Sequence, residues 1–299
     1  MAKLIRTGEP PPAARTRKAQ RVADSKSAPA VAPVSLLQKG LAIVAALTAE
    51  HRPMSLTQIA ESSGINTTSA LRILRTLIEA GYVLRSPATR LYLPGPRAIF
   101  PMDLQHPLME FRRSALPIAQ AIAEDTGLTA GVHLFMYDAR LTIEIVKGRK
   151  PLTPFYDTQA QRGAHASATG KLFLIAVGEM RSKQILGSGP YPRYTDKTLS
   201  DPVGLRRELI EAERLGYARA VEEAYSWLLS VAAPIMAREG AVIGALSVFS
   251  MSESLDPQDI PIIGARLARA AEMLGHSCPS LDAIARMLDA RDPGSRHSR

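Results

Sequence analysis

Two clusters of residues in this chain have the types and spacing to do chemistry on an anionic partner. The first lies between Ser55 and Arg90. Asn66 can cap a helix, because its side chain accepts an orphan backbone N–H of the next turn. Thr67, Thr68, Ser69, Arg72 and Arg75 then fall largely on one face of that helix, opposite an apolar face of Leu71, Leu74, Leu77 and Ile78. Hydroxyls and a helix N-terminus reach phosphates and base edges, and arginine grips guanine or phosphate. Two arginines on a surface helix are also what an ordinary solvated face carries.

The second cluster is His165-Ala166-Ser167-Ala168-Thr169-Gly170-Lys171. It is not a phosphate loop. Six residues separate Gly163 from Gly170 where four are needed, and Leu172 stands where a Ser or Thr would hold Mg²⁺. It is not a Ser/Lys nucleophile pair either, since Ser167 and Lys171 are four apart rather than three. The segment reads as a helix start whose free N–H groups and positive dipole end suit a carboxylate. A well-capped helix that merely packs Leu172, Phe173 and Ile175 fits the residues equally well.

Little else suggests catalysis. The six histidines (His51, His106, His133, His165, His276, His297) are scattered, without metal-ligand spacing. Glu222 and Glu223 are adjacent, so on a strand they point to opposite faces, and a solvated loop is the expected setting. The single cysteine, Cys278, excludes an intrachain disulfide and a cysteine-rich zinc site. No cofactor and no metal are expected.

These residues need elements to hold them. Gly64 reverses the chain between two short helices, giving a helix–turn–helix preceded by a helix over 35–49. Gly81 ends the second helix, and two short strands flank the turn Ser86-Pro87-Ala88-Thr89-Arg90. Together they make a winged helix, with Arg85 and Arg90 on the wing. Gly95-Pro96 and Pro101 mark a boundary, and a linker helix follows over 107–125. Beyond Gly127 come hairpins over 130–147 and 230–251, a strand near 219–222, and helices over 167–177, 202–215 and from Pro257 to about 275. That is a mixed α/β domain with an antiparallel sheet. The expected division is a disordered basic arm (1–33), a DNA-binding domain (34–98), a linker helix (99–126), the mixed α/β domain (127–290), to which the family resemblance given below assigns effector binding and oligomerisation, and a polar tail (291–299).

Charge follows the same division. Residues 1–33 carry seven Lys/Arg and two Asp/Glu, and residues 34–97 carry seven and three. Those segments hold the whole net charge of +9, leaving 23 of each sign elsewhere. A polyanion partner for the first third explains the placement, which a basic tail alone does not. The N-terminus lacks the apolar core of a signal peptide, and no apolar run approaches the ~18 residues of a membrane span. A cytoplasmic protein without a membrane partner is expected.

The chain resembles the IclR family of bacterial transcriptional regulators over about residues 34–275. The resemblance is carried by Arg72-Ile73-Leu74…Leu77…Gly81-Tyr82-Val83, by the 165–171 segment, and by Gly216-Tyr217-Ala218…Glu222-Glu223…Val231-Ala232-Ala233-Pro234-Ile235…Ala245-Leu246-Ser247-Val248. It implies a winged helix–turn–helix, a linker helix and a GAF/PAS-like effector domain, with a homodimer or homotetramer on a palindromic double-stranded DNA operator. It implies regulation of a catabolic operon, more often by repression. It also implies a pocket in which Ala168 and Thr169 offer amide donors while Leu228, Ser230 and Ser247 line facing strands. Three positions depart from the pattern: Ala220 replaces an acidic residue, Ser230 a cysteine, and Phe249 the second serine of a Ser-x-Ser pair. The pocket is thereby more apolar, which suits a small organic acid with an apolar or aromatic body, with Phe155 or Tyr156 at its rim. A constitutive DNA-binding dimer, or a small-molecule enzyme with a DNA-binding appendage, are the alternative functions.

Overall fold

The computed structural model describes residues 35–149, 152 and 163–289. The chain divides into two units, Met1–Ile99 and Phe100–Arg299.

In the first unit, α1 (Leu36–Ala49), α2 (Leu56–Ser63) and α3 (Thr67–Glu79) precede β1 (Val83–Arg85), β2 (Tyr92–Pro94) and the short α4 (Pro96–Ile99). Local chemistry sets the helix starts. Ser35 with Gln38, and Ser55 with Gln58, form reciprocal capping boxes. Asn66 Oδ1 accepts the Ser69 N–H at 2.8 Å. Gly64 ends α2 at φ 65°, a left-handed conformation that a side chain disfavours. The core joins Ile43 and Leu47 of α1, Ile59 of α2, Ala70, Ile73 and Leu74 of α3, Val83 and Tyr92. The inward face of α3 is therefore centred on Ala70, Ile73 and Leu74. Leu77 and Ile78 pack partly against it, and Leu71 lies half-buried at its edge. β1 and β2 are antiparallel, with Leu84 opposite Leu93.

The second unit holds a five-stranded antiparallel sheet of β3 (Thr129–Met136), β4 (Ala139–Val146), β5 (Ala218–Val221), β6 (Leu228–Met236) and β7 (Val242–Met251). The strand order is β4-β3-β7-β6-β5. The hairpins β3–β4 and β6–β7 are local. The β3–β7 pairing, with Gly131 opposite Ser247, joins them across more than a hundred residues. Alternation along each strand gives the sheet two unlike faces. Ala130, Val132, Leu134, Val231, Ala233, Ile235, Leu246 and Val248 form the larger core with α5 (Pro107–Thr126), α8 (Ile260–Ser277) and α9 (Ser280–Asp289). The opposite face, with Phe135, Ala232 and Ala245, is covered by α6 (Ala168–Leu186) and α7 (Pro202–Leu215).

Three elements differ from the sequence reading. The helix expected as a linker buries Phe111, Ala115, Ala119, Ile122 and Ala123 in the larger core, so α5 is a structural layer of this unit. A ninth helix was not anticipated; it packs Leu281, Ile284 and Ala285 into the same core. Finally, α6 runs on to Leu186 through a break at Gly178 (φ 79°), where the expected helix ended. No helix among the described residues is long and apolar enough to cross a membrane.

Candidate DNA-binding and effector sites

In the first unit, Thr67, Thr68, Arg72 and Arg75 stand exposed on α3, while Ser69 is half-buried. Among the described residues neither Arg72 nor Arg75 pairs with an acidic group. The helix thus presents a hydroxyl-bearing first turn with two free guanidinium groups behind it. The two wing arginines differ. Arg85 lies 5.3 Å over the Tyr92 ring and its Nε donates to the Arg90 carbonyl at 3.3 Å, so it braces the wing. Arg90 sits exposed at the turn with φ 59°.

In the second unit, a tight turn over Ala164–Ala166 delivers the chain to α6. Ser167 caps that helix. Its Oγ accepts the Gly170 N–H at 3.2 Å and a hydrogen bond from Arg140 Nη1 at 2.8 Å. The Ala168 N–H points across to Ser230 Oγ at 3.4 Å. Register places the other expected pocket residues beneath this point. Ala220, Ser230, Phe249 and Thr129 form one cross-strand row; Ala232, Ser247 and Gly131 form the next. Leu228, opposite Met251, lies on the same face two residues before Ser230. Ala168, Thr169, Ala220, Leu228, Ser230, Ser247 and Phe249 are thus gathered on one face of the sheet around the start of α6. Phe155 and Tyr156 lie outside the described residues.

Several side chains that sequence reasoning passed over belong to this region. His133 is buried on the same face. Its Nε2 is 2.8 Å from Ser247 Oγ and its Nδ1 is 3.3 Å from Thr142 Oγ1. Burial, helped by the nearby Arg140 charge, lowers its pKa to about 3, so the ring is neutral at physiological pH. A serine beside a histidine has the outline of a nucleophile–base dyad. Here Ser247 is fully buried and the imidazole is a very weak base, so the pair does not activate a nucleophile. The period-two pattern around Gly131, His133 and Phe135 hinted at a shared face; the partners came from long-range pairing.

Lys171 and Glu223 are the second omission. The Lys171 ammonium is fully buried and donates to Glu223 Oε1 at 2.7 Å and to the Arg219 carbonyl at 2.8 Å, with Glu208 at 3.5 Å. Burial pushes the Glu223 carboxyl up, and Lys171 opposes that shift. The solvated-loop setting holds only for Glu222, which pairs outward with Lys197 at 2.8 Å. Both residues lie in the bend that follows β5, where the backbone at Glu222 takes φ 57°, and their carboxylates find opposite environments. His165 is buried as well, with Nε2 on the Pro192 carbonyl at 2.9 Å and its ring stacked on Tyr194. Burial lowers its pKa.

Comparison with known proteins places this arrangement. Residues 36–87 match the family model described as the IclR helix-turn-helix domain, and residues 107–276 match the bacterial transcriptional regulator IclR C-terminal domain. The chain is 28% identical over 207 residues to the HTH-type transcriptional regulator BhcR of Paracoccus denitrificans, covering 68% of this chain and 72% of that one. It is 26% identical over 267 residues to the transcriptional repressor IclR of Escherichia coli, covering 88% and 95%. The fold is shared with an IclR homologue from Microbacterium hydrocarbonoxydans, solved in complex with 4-hydroxybenzoate. There the TM-score is 0.65 at 21% identity, with 83% of this chain and 100% of that chain covered. The relatives and both matched domains are transcriptional regulators rather than enzymes. With a DNA-binding unit and an effector-type unit each matched in its own place, the chain belongs to the IclR family of DNA-binding transcriptional regulators.

Proposed function

We propose that this protein is a ligand-responsive repressor of a catabolic operon, acting in the cytoplasm as a homodimer or homotetramer on a palindromic operator. The observation that carries the reading is the exposed, unpaired Arg72 and Arg75 behind the capped first turn of α3. Thr67, Thr68 and Ser69 meet phosphates and base edges, Arg72 and Arg75 grip base or backbone, and Arg85 and Arg90 set the wing against the adjacent groove. One such helix reads only a few base pairs, so a two-fold pair is needed to specify a site. Leu37 and Leu41 of α1, 73% and 61% exposed, provide an apolar stripe for that pairing.

The effector is a small carboxylic acid with an aromatic body. Its carboxylate meets the start of α6 at Ala168 and Thr169, and its ring lies against Ala220, Leu228, Ser230, Ser247 and Phe249. The Microbacterium homologue's aromatic acid supports this class of ligand. Binding shifts the spacing of the two DNA-binding units by a coupling of ~1–3 kcal/mol. The test is retention of promoter fragments upstream of the protein's own locus, measured against salt with and without aromatic acids. Arg72→Ala should abolish retention while the fold persists. Ser230→Ala and Thr169→Val should keep retention and blunt the ligand response. Salt-insensitive or absent retention overturns the DNA assignment, and retention indifferent to every acid makes the protein a constitutive binder.

A further inference from the structure

α8 has two unlike faces. One buries Ile260, Ile263, Leu267, Ala270, Ala271 and Leu274 in the larger core. On another, Asp259, Ile262, Arg266, Arg269 and Met273 recur at intervals of three, four, three and four residues. That spacing keeps a single stripe turned toward a partner helix. All five residues are exposed, Ile262 by 56% and Met273 by 57%. Asp259 stands at the N-cap, yet its side chain makes no capping hydrogen bond. Among the described residues, neither its carboxylate nor the guanidinium groups of Arg266 and Arg269 have a partner. Beside the stripe, a groove of about 610 Å³ runs between α8 and α5, with Pro117, Ala121 and Asp125 on its far wall. The Asp125 carboxylate is exposed and unpaired as well.

A single exposed Ile or Met is ordinary, and charges usually mark a solvated face. Register is what sets this stripe apart. Laid parallel to a copy of itself, it opposes each arginine to its own twin. Laid antiparallel across a two-fold axis level with Gly264, it pairs Asp259 with the partner's Arg269. The same register sets Ile262 on the aliphatic stem of the partner's Arg266, and each contact occurs twice. Sliding one heptad toward the C-terminus brings Arg266 against the partner's Arg269, and like charges exclude that alternative. One register therefore meets opposite charges on both sides of the paired Ile262 side chains.

We propose that the α8 stripe is an isologous interface through which two dimers of this chain join, with the partner's α8 lying along the groove beside α5. This rests on the paired-regulator reading above and commits it to four copies.

The test is the mass of the full-length, DNA-free protein in sedimentation at micromolar concentration. The unaltered protein should run as four copies. Arg269→Asp sets acid against acid twice and should weaken the joining of dimers at least ~100-fold, leaving two copies. Asp259→Arg sets cation against cation and should do the same. The double variant Asp259→Arg/Arg269→Asp exchanges the charges and should restore four copies. Helices merely damaged by substitution would not recover in the double variant. Four copies in Arg269→Asp, or two copies in the double variant, overturns the assignment. So does an unaltered protein of two copies, a result that needs no variant to fold. Promoter retention by the unaltered protein, which reads α3 rather than α8, shows separately whether the regulator reading has failed.

Discussion

Replacing Lys171 by Met tests the buried ion pair between α6 and the bend after β5. The substitution keeps the stem's volume and removes the ammonium, stranding Glu223 and leaving the Arg219 carbonyl without its donor. Breaking a buried pair from one side costs ~3–5 kcal/mol, because a desolvated charge is left uncompensated. The site has one escape, which is to protonate. Burial already pushes the Glu223 carboxyl up, and Lys171 is the main force opposing it. In the variant that opposition is gone, so the native carboxyl rises further. Between the ordinary glutamate value of 4.5 and that raised value, the native state holds a proton that the unfolded chain has released. Stability then falls as pH rises, by up to about 1.4 kcal/mol per pH unit. The loss should be ~3–5 kcal/mol at pH 8 and smaller by at least ~1 kcal/mol at pH 5. Urea unfolding followed by Trp227 fluorescence reads the second unit, which holds both the tryptophan and the pair. The double variant Lys171→Met/Glu223→Leu removes both charges and should recover to within about 2 kcal/mol of the parent. A loss equal at both pH values, or a double variant as damaged as the single one, refutes the reasoning.

Further outcomes concern the first unit. Asn66→Ala removes the acceptor of the Ser69 N–H and should destabilise α3 by ~1 kcal/mol, read as faster amide exchange along that helix. Arg90→Ala should lower the log–log salt slope of promoter retention by about 1. Arg85→Ala loosens the wing through Tyr92 and should cost ~0.5–1 kcal/mol of stability. Equal salt slopes for the two variants would sink this division of labour. Leu41→Asp places a charge in the exposed α1 stripe and should halve the mass of the DNA-free assembly in sedimentation; an unchanged mass removes α1 from the interface.

The local devices of this protein were legible from residue types. Asn66, Gly64 and the spacing of Leu74 and Leu77 announce a capped helix after a tight turn, because capping, left-handed turns and helical periodicity act within a few residues. The two hairpins were legible for the same reason, and so was the helix begun at Pro202 and stopped by Gly216. The apolar face of α3 was misjudged by part of a turn. Leu71 is as apolar as Leu74, and only packing against α1 and β1 selects Ala70 and Ile73. The ten-residue α9 and the deep seat of α5 escaped because a helix gains most of its stability from the neighbour it packs on rather than from its own residues.

The region around the start of α6 divides along the same line. Its capped helix start could be read from Ser167 and the residues around it. Whether that helix merely packs or faces a polar surface could not. His133, Ser247 and Phe249 meet because β3 pairs with β7, and Lys171 and Glu223 are buried together because α6 lies over β5 and β6. Amino-acid order dictates whatever a short stretch of backbone can satisfy by itself. Desolvation and charge pairing depend on which distant segments exclude water from one another, and that is settled only when the sheet closes and its two faces are covered.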